Sequence, residues 1–219
     1  MLLPLVASAH EHDTFKIGNA HYQFVIGSLN EPIVVDDKTG LDLTVTKCYS
    51  AACTPTKSAD GDMDGPAGTP VTGLENTLKV EMTAADQTKT FEINPQYGKP
   101  GAYKTTFYPT IATTFSYHIT GTISDTPVDL TFTCVPEGTP RAEDDATAVK
   151  LSDSVTRTSH GGGFGCPAAK EALGFPVKAS SINSLSDEAG NAKGMAQAVL
   201  AFGAVGLVLG VWSMRRKNS

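Results

Sequence analysis

Apolar residues recur at every second position through most of the chain between residues 10 and 135. Tyr22, Phe24 and Ile26 form one such set, Leu41, Leu43 and Val45 a second, and Leu78, Val80 and Met82 a third. Phe91 with Ile93, Tyr103 with Thr105 and Phe107, Phe115 with Tyr117 and Ile119, and Val128 with Leu130 and Phe132 continue the series. A period of two puts one row of side chains on each face of an extended strand, whereas an amphipathic helix needs a period near 3.6. The pattern predicts seven or eight half-buried strands. Turn formers separate them at Asp36-Asp37-Lys38-Thr39-Gly40, Ala85-Asp86-Gln87, Lys99-Pro100-Gly101 and Ser124-Asp125-Thr126-Pro127. Short connections favour antiparallel pairing, and strands apolar on one face suit two sheets packed face to face. The expected fold is all-β: an immunoglobulin-like antiparallel β-sandwich over residues 10–135, with a small barrel as the alternative.

After residue 135 the alternation stops. Residues 136–193 are rich in Ala, Ser, Asp, Glu and Gly and include Ser159-His160-Gly161-Gly162-Gly163, which reads as a flexible stalk with a helical turn over residues 168–173. His160 belongs to the linker on this reading. Residues 194–214 carry no charge and are dominated by Ala, Val, Leu, Gly, Phe and Met. At 1.5 Å per residue they reach about 31 Å, the thickness of a hydrocarbon core. Arg215, Arg216 and Lys217 follow, with Trp212 at interface depth, and the positive-inside preference places this end in the cytoplasm. The expectation is a single-pass anchor in the cell membrane with the N-terminus outside and residues 215–219 as a cytoplasmic tail. A buried helix of a soluble protein is the competing reading. Gly206 and Gly210 form a GxxxG pattern that lets two such helices pair as a homodimer. At the other end, the apolar run from Leu2 to Val6 and the small-x-small sequence Ala7-Ser8-Ala9 read as a shortened signal peptide, residues 1–9, cleaved after Ala9.

Export agrees with the four cysteines, an even number that suits an oxidising, extracytoplasmic or periplasmic setting. Four residues allow three pairings. Cys48 and Cys53 are close enough to bridge locally, and Cys134 and Cys166 would then tie the stalk to the end of a strand. Chain entropy gives about 2 kcal/mol for the shorter loop and about 4 for the longer. A zinc site built from all four thiolates is the alternative, but neither C-x-x-C pair is present. The formal charge is −6, and the exterior part is more acidic still once the cytoplasmic cations are set aside. Nucleic acid is not an expected partner.

Several phrases carry a family resemblance: Val25-Ile26-Gly27-Ser28-Leu29-Asn30-Glu31-Pro32, then Pro70-Val71-Thr72-Gly73-Leu74-Glu75-Asn76-Thr77-Leu78-Lys79-Val80, Gly98-Lys99-Pro100-Gly101-Ala102-Tyr103, Tyr108-Pro109-Thr110, and Phe115-Ser116-Tyr117-His118-Ile119-Thr120-Gly121-Thr122-Ile123. Over about residues 9–135 the chain resembles exported bacterial and archaeal proteins similar to YtkA-like and CopC-like immunoglobulin-type domains. Many of these carry a C-terminal anchor and are associated with copper handling. The segment between Cys48 and Gly68 departs from that pattern as an insertion.

Candidate chemistry begins at the expected mature N-terminus, His10-Glu11-His12-Asp13. A free amine, two deprotonated amides and the His12 imidazole make the square-planar nitrogen set that Cu(II) prefers. A second geometry chelates copper with the amine and imidazole of His10, closed by a further histidine, and resembles the sites of CopC-like proteins. His21 and His118 are the candidates to close it, each on the polar row of its strand. Asp60, Asp62 and Asp64 with Gly65 repeat the first half of a calcium loop, but Val71 stands where the bidentate Glu belongs, which leaves at most a weak Ca²⁺ site. Met82 belongs to a core row and Met195 to the anchor, so no methionine-rich Cu(I) tract forms.

No G-x-S-x-G elbow, H-E-x-x-H, P-loop or dinucleotide fingerprint occurs, and an enzyme is not expected. Two function classes remain. One is a Cu(II)-handling module that serves a copper transporter or cuproenzyme. The other is a non-catalytic immunoglobulin-like module that binds another envelope protein or a surface ligand.

Overall fold

In the computed structural model, which describes residues 10–55, 66–140 and 142–170, the alternating sets become strands. Thirteen form among the described residues. They are β1 (His10–Ile17), β2 (Ala20–Ser28), β3 (Leu41–Cys48), β4 (Gly68–Pro70), β5 (Leu78–Ala84), β6 (Gln87–Phe91), β7 (Asn94–Pro95), β8 (Ala102–Lys104), β9 (Phe115–Ile123), β10 (Thr126–Thr133), β11 (Ala142–Asp145), β12 (Val149–Lys150) and β13 (Val155–Gly162). The larger sheet runs β11-β13-β1-β2-β3-β8-β7, with β12 beside β13 and β4 beside β3, and the smaller runs β10-β9-β5-β6. Every pairing between named strands is antiparallel.

The inner rows of both sheets share one core. Tyr22, Phe24 and Ile26 of β2 and Leu41, Leu43 and Val45 of β3 join Tyr117 and Ile119 of β9 and Val128, Leu130 and Phe132 of β10 in a single buried cluster. Phe15 meets Phe24 edge-on at 5.3 Å between centroids, and Phe24 stacks on Phe132 at 6.2 Å. Two antiparallel sheets closed on one core make a β-sandwich. The turn joining β9 to β10 is Ser124-Asp125, both at positive φ (48° and 61°), the geometry whose twist matches that of paired strands.

The architecture corrects the sequence reading in two places. The strand count exceeds seven or eight because six of the thirteen are five residues or shorter, too short to show a period. The flexible stalk does not begin at residue 136. β11, β12 and β13 continue the larger sheet, Phe164 is fully buried against Phe115 and Tyr117, and the compact unit runs to Ala169. Ala168 forms a parallel bridge with Val34, and residues 171–173 of the expected helical turn lie outside the described residues. Lys170–Ser219 is a second unit, of which only Lys170 is described. Residues 1–9, Asp60, Asp62, Asp64, the rest of the predicted stalk and the predicted membrane helix lie outside the described residues. Among the described residues no helix is long and apolar enough to cross a membrane.

Candidate metal centre

β1 begins His10-Glu11-His12-Asp13. Successive side chains on a strand point to opposite faces, so this alternation separates imidazoles from carboxylates. Glu11 and Asp13 fall in the inward row with Phe15 and Ile17 and are 7 % and 2 % exposed, while His10 and His12 fall in the outward row. Two carboxylates at the end of a hydrophobic row need compensating partners.

β13 brings them. It pairs with β1 so that His160 stands opposite Asp13, and Arg157 opposite Phe15. Positions 157 and 160 differ by three, so in a regular strand their side chains would face opposite ways. The register shifts between Thr14 and Phe15, leaving Thr158 as the extra residue of a bulge. Its Oγ1 donates a hydrogen bond of 3.1 Å to the Thr14 carbonyl oxygen. One inserted residue thereby turns both His160 and Arg157 toward the carboxylates, a use of bulges common beside functional sites.

The resulting distances are short. His160 Nδ1 lies 2.6 Å from Asp13 Oδ1 and 3.5 Å from Glu11 Oε1, and Arg157 Nη1 lies 3.9 Å from Asp13 Oδ2. One ligand-type atom from each of Glu11, Asp13 and His160 lies within 4.8 Å of the others. Donors about 2.1 Å from a cation stand about 3.0 Å apart at right angles and about 3.4 Å apart at the tetrahedral angle. The set closes on an ion with little movement. Burial first, and the Asp13 charge second, push the Glu11 carboxyl up to about 8, with Arg157 partly offsetting them. Burial also raises Asp13, against the hydrogen bond and charge of His160 and the charges of Arg157 and His12. At neutral pH Glu11 therefore holds a proton, at a place where a cation can replace it.

Comparison of the chain with protein families, curated proteins and solved structures finds no match. The chemistry of the centre rests on its own atoms.

The residues singled out from sequence fall elsewhere. His10 and His12 are neighbours on the outer face. His10 Nε2 reaches to 3.7 Å from Asp42 Oδ2 across Gly27, which has no side chain to block it. His12 stands opposite Gly161, over which the Asp144 carboxylate lies. Partial burial, then the nearby charge of His10, hold His12 below the usual imidazole range. The square-planar nitrogen site would need the Glu11 and His12 amides turned onto the metal, yet both residues sit in a strand paired on both sides. Those two arrangements exclude each other.

His21 and His118 do not close a site with His10. His21 lies opposite Lys16, six positions along β2 from Gly27, the partner of His10. That separation is about 20 Å. His118 lies on the outer face of the smaller sheet, 2.8 Å from Asp129 Oδ1 and 3.7 Å from Glu81 Oε2. His160, read from sequence as linker, is instead the centre's imidazole. Cys48 pairs with Cys53 and Cys134 with Cys166, as the spacing suggested. That leaves no free thiol among the described residues.

Proposed function

We propose that this protein is an extracytoplasmic β-sandwich module that binds one divalent transition-metal ion through Glu11, Asp13 and His160. The convergence of two buried carboxylates and an imidazole carries the reading. Two oxygen donors and one nitrogen suit Zn²⁺, Mn²⁺ or Fe²⁺ better than Cu(I), and the thiols that would favour softer ions are bridged. Display outside a membrane is supported by the uncharged run at residues 194–214 with its following cations, and by the two disulfides. An immunoglobulin-like sandwich similar to copper-handling domains belongs to the same reading. Its partners would be a metal transporter or a metalloenzyme that receives the ion.

Cu(II) at the outer face is the second reading, favoured by His10 and His12 lying side by side with Asp42 and Asp144 at their flanks. Calorimetric titration of the chelator-stripped, detergent-solubilised full chain with Zn²⁺, Mn²⁺ and Cu²⁺ separates the two. The inner centre predicts one-to-one binding that weakens at least about tenfold in Asp13→Asn and in His160→Ala and is unchanged in His10→Ala and His12→Ala. The reverse pattern, for Cu²⁺ alone, moves the site to the outer face. Binding of none of the three ions sinks both and leaves the non-catalytic interaction module in front.

A further inference from the structure

Beside Asp13 the sandwich is open. A cavity of about 930 Å³ lies between the edge strand β10 and the segment that leads from β12 into β13. Phe15, Val128, Leu130 and Val155 give it an apolar floor, and Asp13 and Arg157 stand at its inner end. Its volume falls within the range of small-molecule sites, and its walls, which carry Thr120, Thr131, Ser152 and Ser154, set polar groups around that apolar floor.

The charges at the inner end change when an ion is bound. Without one, Asp13 faces Arg157 and His160. With a dication held by Glu11 and Asp13, the two carboxylates are balanced by the ion, and the Arg157 charge is left facing the cavity. Its Nε is buried and has no hydrogen-bond partner among the described residues. The rim carboxylates are engaged elsewhere: Asp129 with His118 at 2.8 Å and Asp153 with Lys150 at 2.8 Å. Three protein ligands also leave coordination positions open on an ion. Asp13 lines the cavity, so those on its side are accessible from there.

We infer that the cavity binds a small carboxylate with an apolar body, its carboxyl group bridging the bound ion and the Arg157 guanidinium, and that this binding requires the ion. The inference rests on the metal reading above. A planar carboxylate matches the guanidinium fork, and its single charge cancels the one left over. A phosphate dianion would overshoot that balance. The apolar floor takes the hydrocarbon body, as burial of apolar surface favours.

The test uses the full chain in detergent, first stripped with chelator and then loaded with the ion that binds most tightly, with benzoate as the probe and benzylamine as the charge-reversed control. Benzoate is expected to bind the loaded protein at least about tenfold more tightly than the stripped protein, and benzylamine to show no such gain. Arg157→Gln should abolish the gain while keeping or raising ion affinity. Thr131→Trp, an exposed change at the cavity wall, should block benzoate without touching the ion. Equal benzoate binding with and without the ion overturns the inference, as does a gain that survives Arg157→Gln or Thr131→Trp. Failure of any ion to bind is seen before benzoate is added, and it overturns the metal reading and this inference together.

Discussion

Glu11→Gln is expected to stabilise the metal-free protein above pH 8 and to flatten its stability between pH 4.5 and 8. In the folded chain the Glu11 carboxyl is pushed up from 4.5 to about 8. Between those values the folded state keeps a proton that the unfolded state has lost, so stability falls as pH rises. The contribution is fully present below pH 4.5 and is gone above about pH 8. That interval is about 3.5 pH units. At about 1.4 kcal/mol each, the upper bound is about 5 kcal/mol. Asp13 is raised in the same direction and steepens the slope, while His160 and Arg157 oppose it. Gln keeps the shape and a hydrogen-bonding amide without an ionisable proton. Urea unfolding midpoints at pH 5, 7 and 9 in the presence of chelator read the effect. A steep decline in the wild type and a shallow one in the variant are expected, and parallel declines would show that Glu11 is not a buried neutral acid. A saturating divalent ion should reverse the ranking at pH 8, because it binds the ionised carboxylate that Gln lacks.

The same burial explains what could be read from sequence. β2, β3, β5, β9 and β10 were legible because their inner rows are apolar, and a period of two survives when one face meets a core. β1 and β13 were not, because Glu11, Asp13 and His160 occupy inner positions where the pattern calls for apolar residues. The bulge at Thr158 adds a second obstacle, since it breaks the parity by which residues 157 and 160 would be assigned to faces. The short edge strands β4, β7, β11 and β12 take their place from pairing with longer neighbours and carry no period of their own. The first four residues of β1 are legible as chemistry-bearing, but their imidazoles are the more conspicuous ligands. Glu11 and Asp13 share a parity with Phe15 and Ile17, and that was the available sign that the carboxylates point inward. Local rules fail most where a site has displaced core residues.

Loss of the Cys134–Cys166 bridge has the second large expected effect. It joins the end of β10 in the smaller sheet to the segment that follows β13 in the larger, across a sequence separation of 32. Closing a loop of that length removes about 4 kcal/mol of chain entropy from the unfolded state. Cys48–Cys53, with a separation of 5, is worth about 2 by the same relation. The longer loop contains β11, β12 and β13, and with them Arg157 and His160. Two backbone hydrogen bonds hold the same junction, from Val135 N to Phe164 O at 2.8 Å and from Cys166 N to Val135 O at 3.1 Å, and Phe164 is fully buried beside them. The fold should therefore survive the double substitution Cys134→Ala, Cys166→Ala while losing about 3 to 4 kcal/mol in urea unfolding. Because β13 carries the imidazole, the variant should also show faster amide exchange along β13 and weaker ion binding, whereas Cys48→Ser, Cys53→Ser should leave both unchanged. A loss below about 1 kcal/mol would mean that the unfolded chain is already held compact at this junction. Unchanged exchange in β13 would mean that its pairing with β1, and not the bridge, fixes His160 against the carboxylates.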